Sequence, residues 1–164
     1  MQKGIKSSCN LYRLSWGYKD LHLSAFKKNN IKLIPHALHM WPRGKVMLFI
    51  WPNRDNSYTC ALTLPNKGKE SFASLNNNAK VLKLFNKKFP DLSLFFPEMV
   101  TEFKKKKVGN FSCLYTSPWF HKDFIILVGD ACHAVMPFYS QGVSVAFEDC
   151  ETLVSLLEEY KDDR

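Results

Sequence analysis

The chain has 164 residues, of which 46% are hydrophobic and 14% aromatic, which is enough apolar material for the core of one ordinary domain. Its longest uninterrupted apolar stretch, residues 124–128, is far too short to cross a bilayer, and its basic start lacks the apolar segment of a secretory signal. The net charge of +8 would suit an anionic partner such as nucleic acid. The densest basic run, residues 104–107, has no interleaved arginine or aromatic residue, so we interpret it as a solvated surface and expect no nucleic-acid site.

The first part of the chain predicts strands. Residues 16–23 alternate with a period of two, which predicts a strand, and the polar residues 27–30 predict a connecting loop. Residues 37–41 predict an extended segment that Pro42 ends. We expect these segments to belong to an antiparallel meander.

The meander continues into a helix. Residues 45–51 and 57–64 are rich in β-branched, aromatic and aliphatic side chains, and turn-forming residues separate them. From Asn77, which can cap a helix, the pattern changes to that of an amphipathic helix that ends before Pro90 and covers the sheet. Its predicted apolar face comprises Val81, Leu82, Leu84, Phe85 and Phe89.

The last part predicts a different kind of sheet. Residues 97–106 predict a short helix and residues 110–116 a further strand. Residues 124–128 are apolar on both faces, which predicts a central strand of an α/β sheet. Residues 143–160 predict a long helix. The fold class indicated is therefore mixed, with an α+β part followed by an α/β part. The residues that can share one face of the last helix are Val143, Phe147, Val154 and Leu157.

Two short motifs flank the connection between the last strand and the last helix. Gly129 and Asp130 follow the strand, and Gln141 and Gly142 open the helix. Ligands of open α/β sheets bind beyond the carboxyl ends of the strands, where an aspartate can accept hydrogen bonds from sugar or ribityl hydroxyls. A helix start offers unpaired N–H groups and a positive dipole end to an anionic or carbonyl oxygen. If the two converge on one cleft, they supply both ends needed to hold a flavin.

These motifs also carry a family resemblance. Residues 129–134, 137–142 and 147–150, which read GDACHA, PFYSQG and FEDC, resemble the second flavin-binding signature of the class A flavin-dependent aromatic hydroxylases. Within that class, four segments are similar to the kynurenine 3-monooxygenase family. They are LHMWPR at 38–43, IWPN at 50–53, SYTC at 57–60 and SPW at 117–119. The resemblance extends from about residue 16 to residue 157.

The resemblance implies an enzyme that binds FAD, takes electrons from NADPH and uses O2 to hydroxylate L-kynurenine to 3-hydroxykynurenine. That reaction serves tryptophan degradation and pyridine nucleotide biosynthesis. It implies no catalytic side chain, because the flavin carries the chemistry. The implied cofactor-binding residues are Gly129, Asp130, Pro137, Gln141, Gly142, Val143 and Ser144. The implied substrate-pocket residues are Phe138, Tyr139, Leu38 and Met40.

Simpler interpretations remain open for several of these residues. Asp130 would also suit a helix or turn cap, and Phe138 and Tyr139 would suit ordinary core packing. Glu148 and Asp149 are adjacent on a helix and point about 100° apart, so they cannot share a substrate atom and suit capping or packing.

His133 is assigned a structural role. No metal-ligand partner lies at a useful spacing from it, so we expect no metal ion.

Inside the signature the chain departs from the family at three positions. The family usually has glycine at the place of Ser140, asparagine at that of Ser144 and glycine near Ala146. If position 140 needs a positive φ angle, serine costs on the order of 1 kcal/mol there. The methyl of Ala146 would press on the flavin or on the neighbouring strand. Two alternatives therefore stay open, a non-catalytic remnant or interaction module of the same fold, and a hydroxylase of another aromatic substrate.

The resemblance also implies a domain division. Residues 1–108 would form a substrate domain, and residues 109–164 the C-terminal part of an FAD-binding domain of the glutathione-reductase type. No G-x-G-x-x-G pattern precedes residue 16, so we expect the fold to be incomplete and the chain alone inactive without a missing N-terminal half.

The cysteines bear on the compartment. The five cysteines are an odd number without a CxxC pair, which favours a reducing compartment such as the cytoplasm. A eukaryotic family member would lie on the mitochondrial outer membrane.

Overall fold

The computed structural model describes residues 8–24 and 33–161. Within these ranges no helix combines the length and the hydropathy that a membrane crossing requires. The loop predicted at residues 27–30 lies outside the described residues. The strands are β1 (Ser8–Leu23), β2 (His39–Arg43), β3 (Val46–Pro52), β4 (Tyr58–Pro65), β5 (Gly109–Ser117), β6 (Phe120–His121) and β7 (Ile125–Ile126). The α-helices are α1 (Asn78–Lys88), α2 (Phe96–Lys105), α3 (Asp130–His133) and α4 (Gly142–Glu159).

The chain divides into two compact units. One is Ser15–Asn110, and the other joins the described residues 8–14 to residues 111–161. The main sheet has the strand order β2-β3-β4-β1-β5, and β2, β3, β4 and β1 pair antiparallel in that order. In the second unit, β6 and β7 form a separate antiparallel pair. The assignment of residues 1–108 to a substrate domain and 109–164 to a flavin domain stays a prediction.

The predicted antiparallel meander is present, with one correction at Pro42. We expected Pro42 to end its segment, but β2 continues through it to Arg43, and Pro42 is in register with Met47. Proline lacks the N–H group that a central strand needs. Among the described strands β2 has only β3 as a neighbour, and an edge strand of this kind tolerates that loss.

The core of the first unit lies between one face of the sheet and the helices α1 and α2. Alternate residues of the strands point into it, such as Leu48 and Ile50 on β3, and both are fully buried. From α1, Phe85 is also fully buried, as is Phe89 at the end of the helix. Apolar burial of this kind is the main source of stability for the unit.

Helix α1 begins as predicted. The Asn77 side chain accepts a hydrogen bond from the Lys80 N–H at 2.9 Å, which caps the helix. The assignment of Leu82 to the buried face is wrong, because its side chain is 41% exposed. At about 100° per residue, Leu82 is rotated away from the face that Val81 and Phe85 share.

Glu70 supports a prediction about acid stability. Its carboxylate lies 2.7 Å from the Lys87 Nζ and 2.9 Å from the Lys88 Nζ, and these hydrogen bonds hold the pKa of Glu70 at about 2, below the ordinary 4.5. Because the folded-state pKa is the lower one, this stabilisation is complete above pH 4.5 and is lost as the pH falls towards 2. We expect Glu70→Gln to lower the free energy of unfolding near neutral pH by less than about 1 kcal/mol, since the pair is solvent-screened. Urea unfolding near neutral pH and near pH 2 checks this, and an equal effect at both would contradict it.

Residues 124–128 do not form the buried central strand that we predicted. In the described structure β7 covers two residues and pairs with β6. The side chains of Phe124, Ile125 and Ile126 are 66%, 46% and 54% exposed. A central strand needs a neighbour on each side, and among the described residues only β6 pairs with β7.

The long helix predicted at residues 143–160 is α4. The apolar stripe that we assigned to it faces outward within its unit, since Val143 is 67% and Phe147 69% exposed. Val154 and Leu157 are about half exposed. An amphipathic helix normally buries such a stripe, so this one is uncovered in the described part of the chain.

Candidate functional site

Gly129 makes the turn between β7 and α3. Its backbone has φ 60° and ψ −139°, a conformation that side chains rarely allow. A Cβ atom added to Gly129 would lie 3.1 Å from the Cβ atom of Ala146 on α4. Glycine is therefore required here both by the backbone conformation and by the close approach of α4. The Ala146 methyl packs against the Gly129 turn.

Asp130 lies close to the start of α4. The Asp130 Oδ1 lies 4.0 Å from the point where a Cβ atom on Gly142 would be. Asp130 is exposed, and no described residue donates a hydrogen bond to its carboxylate. An acceptor with free capacity thus lies beside the first turn of an 18-residue helix.

The first turn of α4 has unused donors. Gln141 precedes the helix and makes no side-chain cap, and its Nε2 donates instead to the Tyr139 carbonyl at 3.1 Å. The N–H groups of Gly142, Val143 and Ser144 have no acceptor inside the helix, because the first turn of any α-helix lacks one. The positive end of the helix dipole therefore lies near the Asp130 carboxylate, where a polar ligand can contact both.

Asp149, in the middle of α4, binds the Gly129 turn. Its Oδ2 accepts the Gly129 N–H at 2.7 Å and lies 2.7 Å from the Nε2 of His133. The Gly129 hydrogen bond, followed by that of His133, lowers the pKa of Asp149 below its ordinary value. The adjacent Glu148 is exposed and takes no part, so the two acids do point apart.

His133 also packs against an aromatic ring. The Trp119 ring lies 5.0 Å from the His133 ring, at an interplanar angle of 50°. The Trp119 Nε1 donates to the Thr116 carbonyl at 2.6 Å, and the Thr116 hydroxyl donates to the Ala131 carbonyl at 3.2 Å. These contacts join β5 to the segment that carries Asp130.

Cys132 completes a group that could hold a metal ion. One ligand atom from each of Cys132, His133 and Asp149 lies within 4.8 Å of the other two. Our premise that His133 has no partner was therefore wrong, although the absence of a metal stays a prediction. Two features disfavour a metal. The Asp149 Oδ2 is already shared by two donors, and burial raises the pKa of the Cys132 thiol, which must lose its proton to bind a metal.

The loop between α3 and α4 holds the residues assigned to the flavin and substrate edge. Pro137–Tyr139 form a 3-10 turn. The Tyr139 side chain is 85% exposed, whereas the Phe138 ring packs against Phe111 with centroids 5.0 Å apart. Tyr139 is thus not a core residue within its unit, while Phe138 is half-buried.

Ser140 has a left-handed backbone, with φ 54° and ψ 32°. We expect Ser140→Gly to raise the free energy of unfolding by up to about 1 kcal/mol, because glycine enters this region without strain. The matched control is Ser144→Gly, in α4, which should lower it by roughly 0.5–1 kcal/mol because glycine is a poor helix former. Urea unfolding of both variants measures the difference, and effects of the same sign would contradict the interpretation.

Leu38 and Met40, the other predicted pocket residues, belong to the first unit. Their side chains are 55% and 53% exposed. Met40 is in register with Phe49 on β3, and Phe49 with Ala61 on β4. This row lies on the sheet face opposite the core, so it forms an apolar surface available to a ligand.

Sequence reasoning missed the roles of Asp149 and Trp119. Asp149 follows His133 by 16 residues, an interval that matches no standard ligand or hydrogen-bond spacing. Only the shared signature that contains both residues could have paired them. Trp119 was noted as part of a family segment, without its contact to His133.

Comparison with known proteins relates the chain to one group of enzymes. No protein-family model matches the chain. It is 46% identical over 161 residues to the kynurenine 3-monooxygenase of Legionella pneumophila, a match that covers 98% of this chain and 35% of that protein. It is 42% identical over 150 residues to the enzyme of the same name from Flavobacterium psychrophilum, covering 92% of this chain and 34% of that protein.

The structural comparison concerns the fold. A crystal structure of a mutant of 2-methyl-3-hydroxypyridine-5-carboxylic acid oxygenase matches with a TM-score of 0.69 at 22% identity, over 94% of this chain and 41% of that one. The mixed α/β fold with an antiparallel sheet is thus the fold of part of that oxygenase. By sequence, the chain is homologous over nearly its whole length to the kynurenine 3-monooxygenases and spans about a third of their length.

Proposed function

We propose that this chain is part of an FAD- and NADPH-dependent monooxygenase that hydroxylates L-kynurenine to 3-hydroxykynurenine. The relatives that bear that name support the reaction, at 46% and 42% identity. The observation that carries the proposal is the approach of the Asp130 carboxylate to the first turn of α4. The strand, the Gly-Asp turn and α4 would form part of a glutathione-reductase-like FAD-binding domain.

The residues around Asp130 fit a flavin. The carboxylate has free acceptor capacity, which suits the hydroxyls of the ribityl chain. The N–H groups of residues 142–144 are unused donors, which suit the carbonyl oxygens at the pyrimidine edge. The dipole of α4 would stabilise negative charge at that edge. When bound, FAD would supply electron transfer from NADPH and the use of O2, and the protein would supply binding, orientation and exclusion of water.

The remaining assigned residues would surround the reacting ring. Pro137 and Tyr139 are exposed in the turn before α4, and we assign them with Phe138 to the edge where flavin and substrate meet. In the first unit, the exposed apolar side chains of Leu38 and Met40 suit the wall of a pocket for an aromatic ring.

The proposed activity needs a second stretch of polypeptide, because the chain spans about a third of the length of its curated relatives. We propose that the missing N-terminal dinucleotide-binding half is needed for activity. The uncovered apolar stripe of α4 supports a further packed element. All five cysteines are free, in keeping with the cytoplasm as our predicted compartment.

A chimera tests the function. The 161 matching residues of the Legionella pneumophila enzyme are replaced by those of this chain, and FAD binding and 3-hydroxykynurenine formation are measured. We expect the chimera to bind FAD and to form the product, and the isolated chain to do neither. A folded chimera that binds no FAD would refute the flavin site. Tight, stoichiometric FAD binding by the isolated chain would refute the need for a partner.

The strained backbone of Ser140 favours one second candidate, a non-catalytic remnant of this fold. In that case the chimera folds without hydroxylating kynurenine, and restoring the family residues by Ser140→Gly and Ser144→Asn leaves it inactive. A chimera that forms 3-hydroxykynurenine without those two changes would exclude the remnant. A chimera that hydroxylates only a different aromatic acid would identify the other alternative.

A further inference from the structure

A single carboxylate oxygen of α4 contacts the turn that carries Asp130. The Asp149 Oδ2 accepts the Gly129 N–H at 2.7 Å and lies 2.7 Å from the His133 Nε2. Asp130 follows Gly129 directly, and no described residue donates to its carboxylate. We propose that Asp149 is a positioning residue, which fixes the Gly129 backbone and thereby the direction of the Asp130 side chain. The relevance to FAD rests on the proposed function, whereas the positioning itself does not.

The Gly129 backbone needs an external constraint. Glycine samples a much wider range of φ and ψ than other residues, so its own sterics do not select φ 60° and ψ −139°. The contact with Ala146 limits what can occupy position 129 but does not hold its N–H. A hydrogen bond from that N–H to an ionised carboxylate is roughly twice as strong as a neutral one. It therefore selects one conformation at the residue before Asp130.

The second partner of Asp149 is itself fixed. His133 packs against Trp119, and the Trp119 Nε1 donates a hydrogen bond to the Thr116 carbonyl. The carboxylate is thus held between a backbone N–H and an immobilised ring, with the Cys132 thiol 3.9 Å from the same oxygen. A carboxylate oxygen held by two fixed partners can transmit its own position to the turn.

Amide NMR of the whole chain tests the positioning without a flavin. The readouts are the hydrogen-exchange rate of the Gly129 amide and the three-bond couplings that report the Asp130 side-chain rotamer. The variants are Asp149→Asn and Asp149→Ala, and the matched control is Glu148→Gln, which removes the same charge from the preceding residue of α4. We expect Gly129 exchange to accelerate about tenfold or more in the Asp149 variants and Asp130 to average over rotamers. Glu148→Gln should change neither.

Unchanged Gly129 exchange in Asp149→Asn, or equal acceleration in Glu148→Gln, would overturn the proposal. If Asp149→Ala does not fold, the nearly isosteric Asp149→Asn decides the comparison alone.

FAD binding by the chimera separates this inference from the function. We expect Asp149→Asn to weaken FAD binding there, while Glu148→Gln does not. A chimera that binds no FAD would refute the proposed function and leave the NMR comparison decisive. A chimera that binds FAD equally well with Asp149→Asn would show that the flavin site does not depend on this positioning, and the relevance of Asp149 to FAD would be refuted with the function intact.

Discussion

Replacing Asp130 with asparagine in the chimera should weaken FAD binding by about 10- to 100-fold, because a hydrogen bond to an ionised acceptor contributes roughly 1.5–3 kcal/mol. The Asp130 carboxylate would be the acceptor for flavin hydroxyls beside the first turn of α4. Asparagine keeps the size of the side chain and removes its charge. Fluorescence titration with FAD gives the dissociation constant directly.

The matched control for Asp130→Asn is Asp123→Asn, an exposed aspartate between β6 and β7 of the same unit. It removes the same charge without touching the Gly129 turn, so FAD affinity should stay within about twofold of the unchanged chimera. Equal losses in both variants would mean that net charge, and not the Asp130 site, governs FAD affinity. If neither variant loses FAD affinity, Asp130 does not bind FAD and serves only as a helix or turn cap.

Gly129→Ala should lower the free energy of unfolding of the second unit by about 2–4 kcal/mol, the sum of the backbone strain and of an overpacked contact. The added Cβ would lie 3.1 Å from the Ala146 Cβ. Adding Ala146→Gly removes the contact but not the strain, so the double variant should recover only part of the loss. Urea unfolding followed by amide NMR signals of residues 111–161 measures both.

Gly44→Ala provides the comparison for Gly129→Ala. Gly44 has φ 70°, and nothing lies within 4 Å of an added Cβ, so this variant carries the backbone cost alone, about 1–2 kcal/mol. A Gly129→Ala effect no larger than that of Gly44→Ala would show that α4 moves away freely. Full recovery in the double variant would show that the backbone at position 129 is not strained.

The first unit was largely predictable because its signals are local. Asn77 and the 3.6-residue period that follows it determine α1, and β-branched, aromatic and aliphatic composition with turn residues between the two segments determines β3 and β4. The exceptions were Pro42 and Leu82. Whether a proline lies on an edge strand depends on the strand order, which the local sequence does not show. Neighbouring helix residues are rotated by about 100°, so a residue at the border of the apolar face, such as Leu82, is easily assigned to the wrong side.

The second unit was harder to predict because its interactions are not local. Residues 124–128 have the composition of a central strand, but a central strand needs a neighbouring strand on each side. Among the described residues only β6 pairs with β7. The pairing of His133 with Asp149 likewise depends on α4 folding back over the Gly129 turn. The approach of Asp130 to Gly142 was foreseeable, because the strand-turn-helix arrangement brings those two positions together.

The exposure of β7 has a practical consequence for handling the protein. The run FIILV is a five-residue window of high β-propensity without charge or proline, and in the described structure most of its side chains face solvent. Such windows recruit identical segments of other molecules into intermolecular sheets. At high protein concentration this segment should therefore be the point of self-association, and Ile125→Lys should keep the polypeptide dispersed.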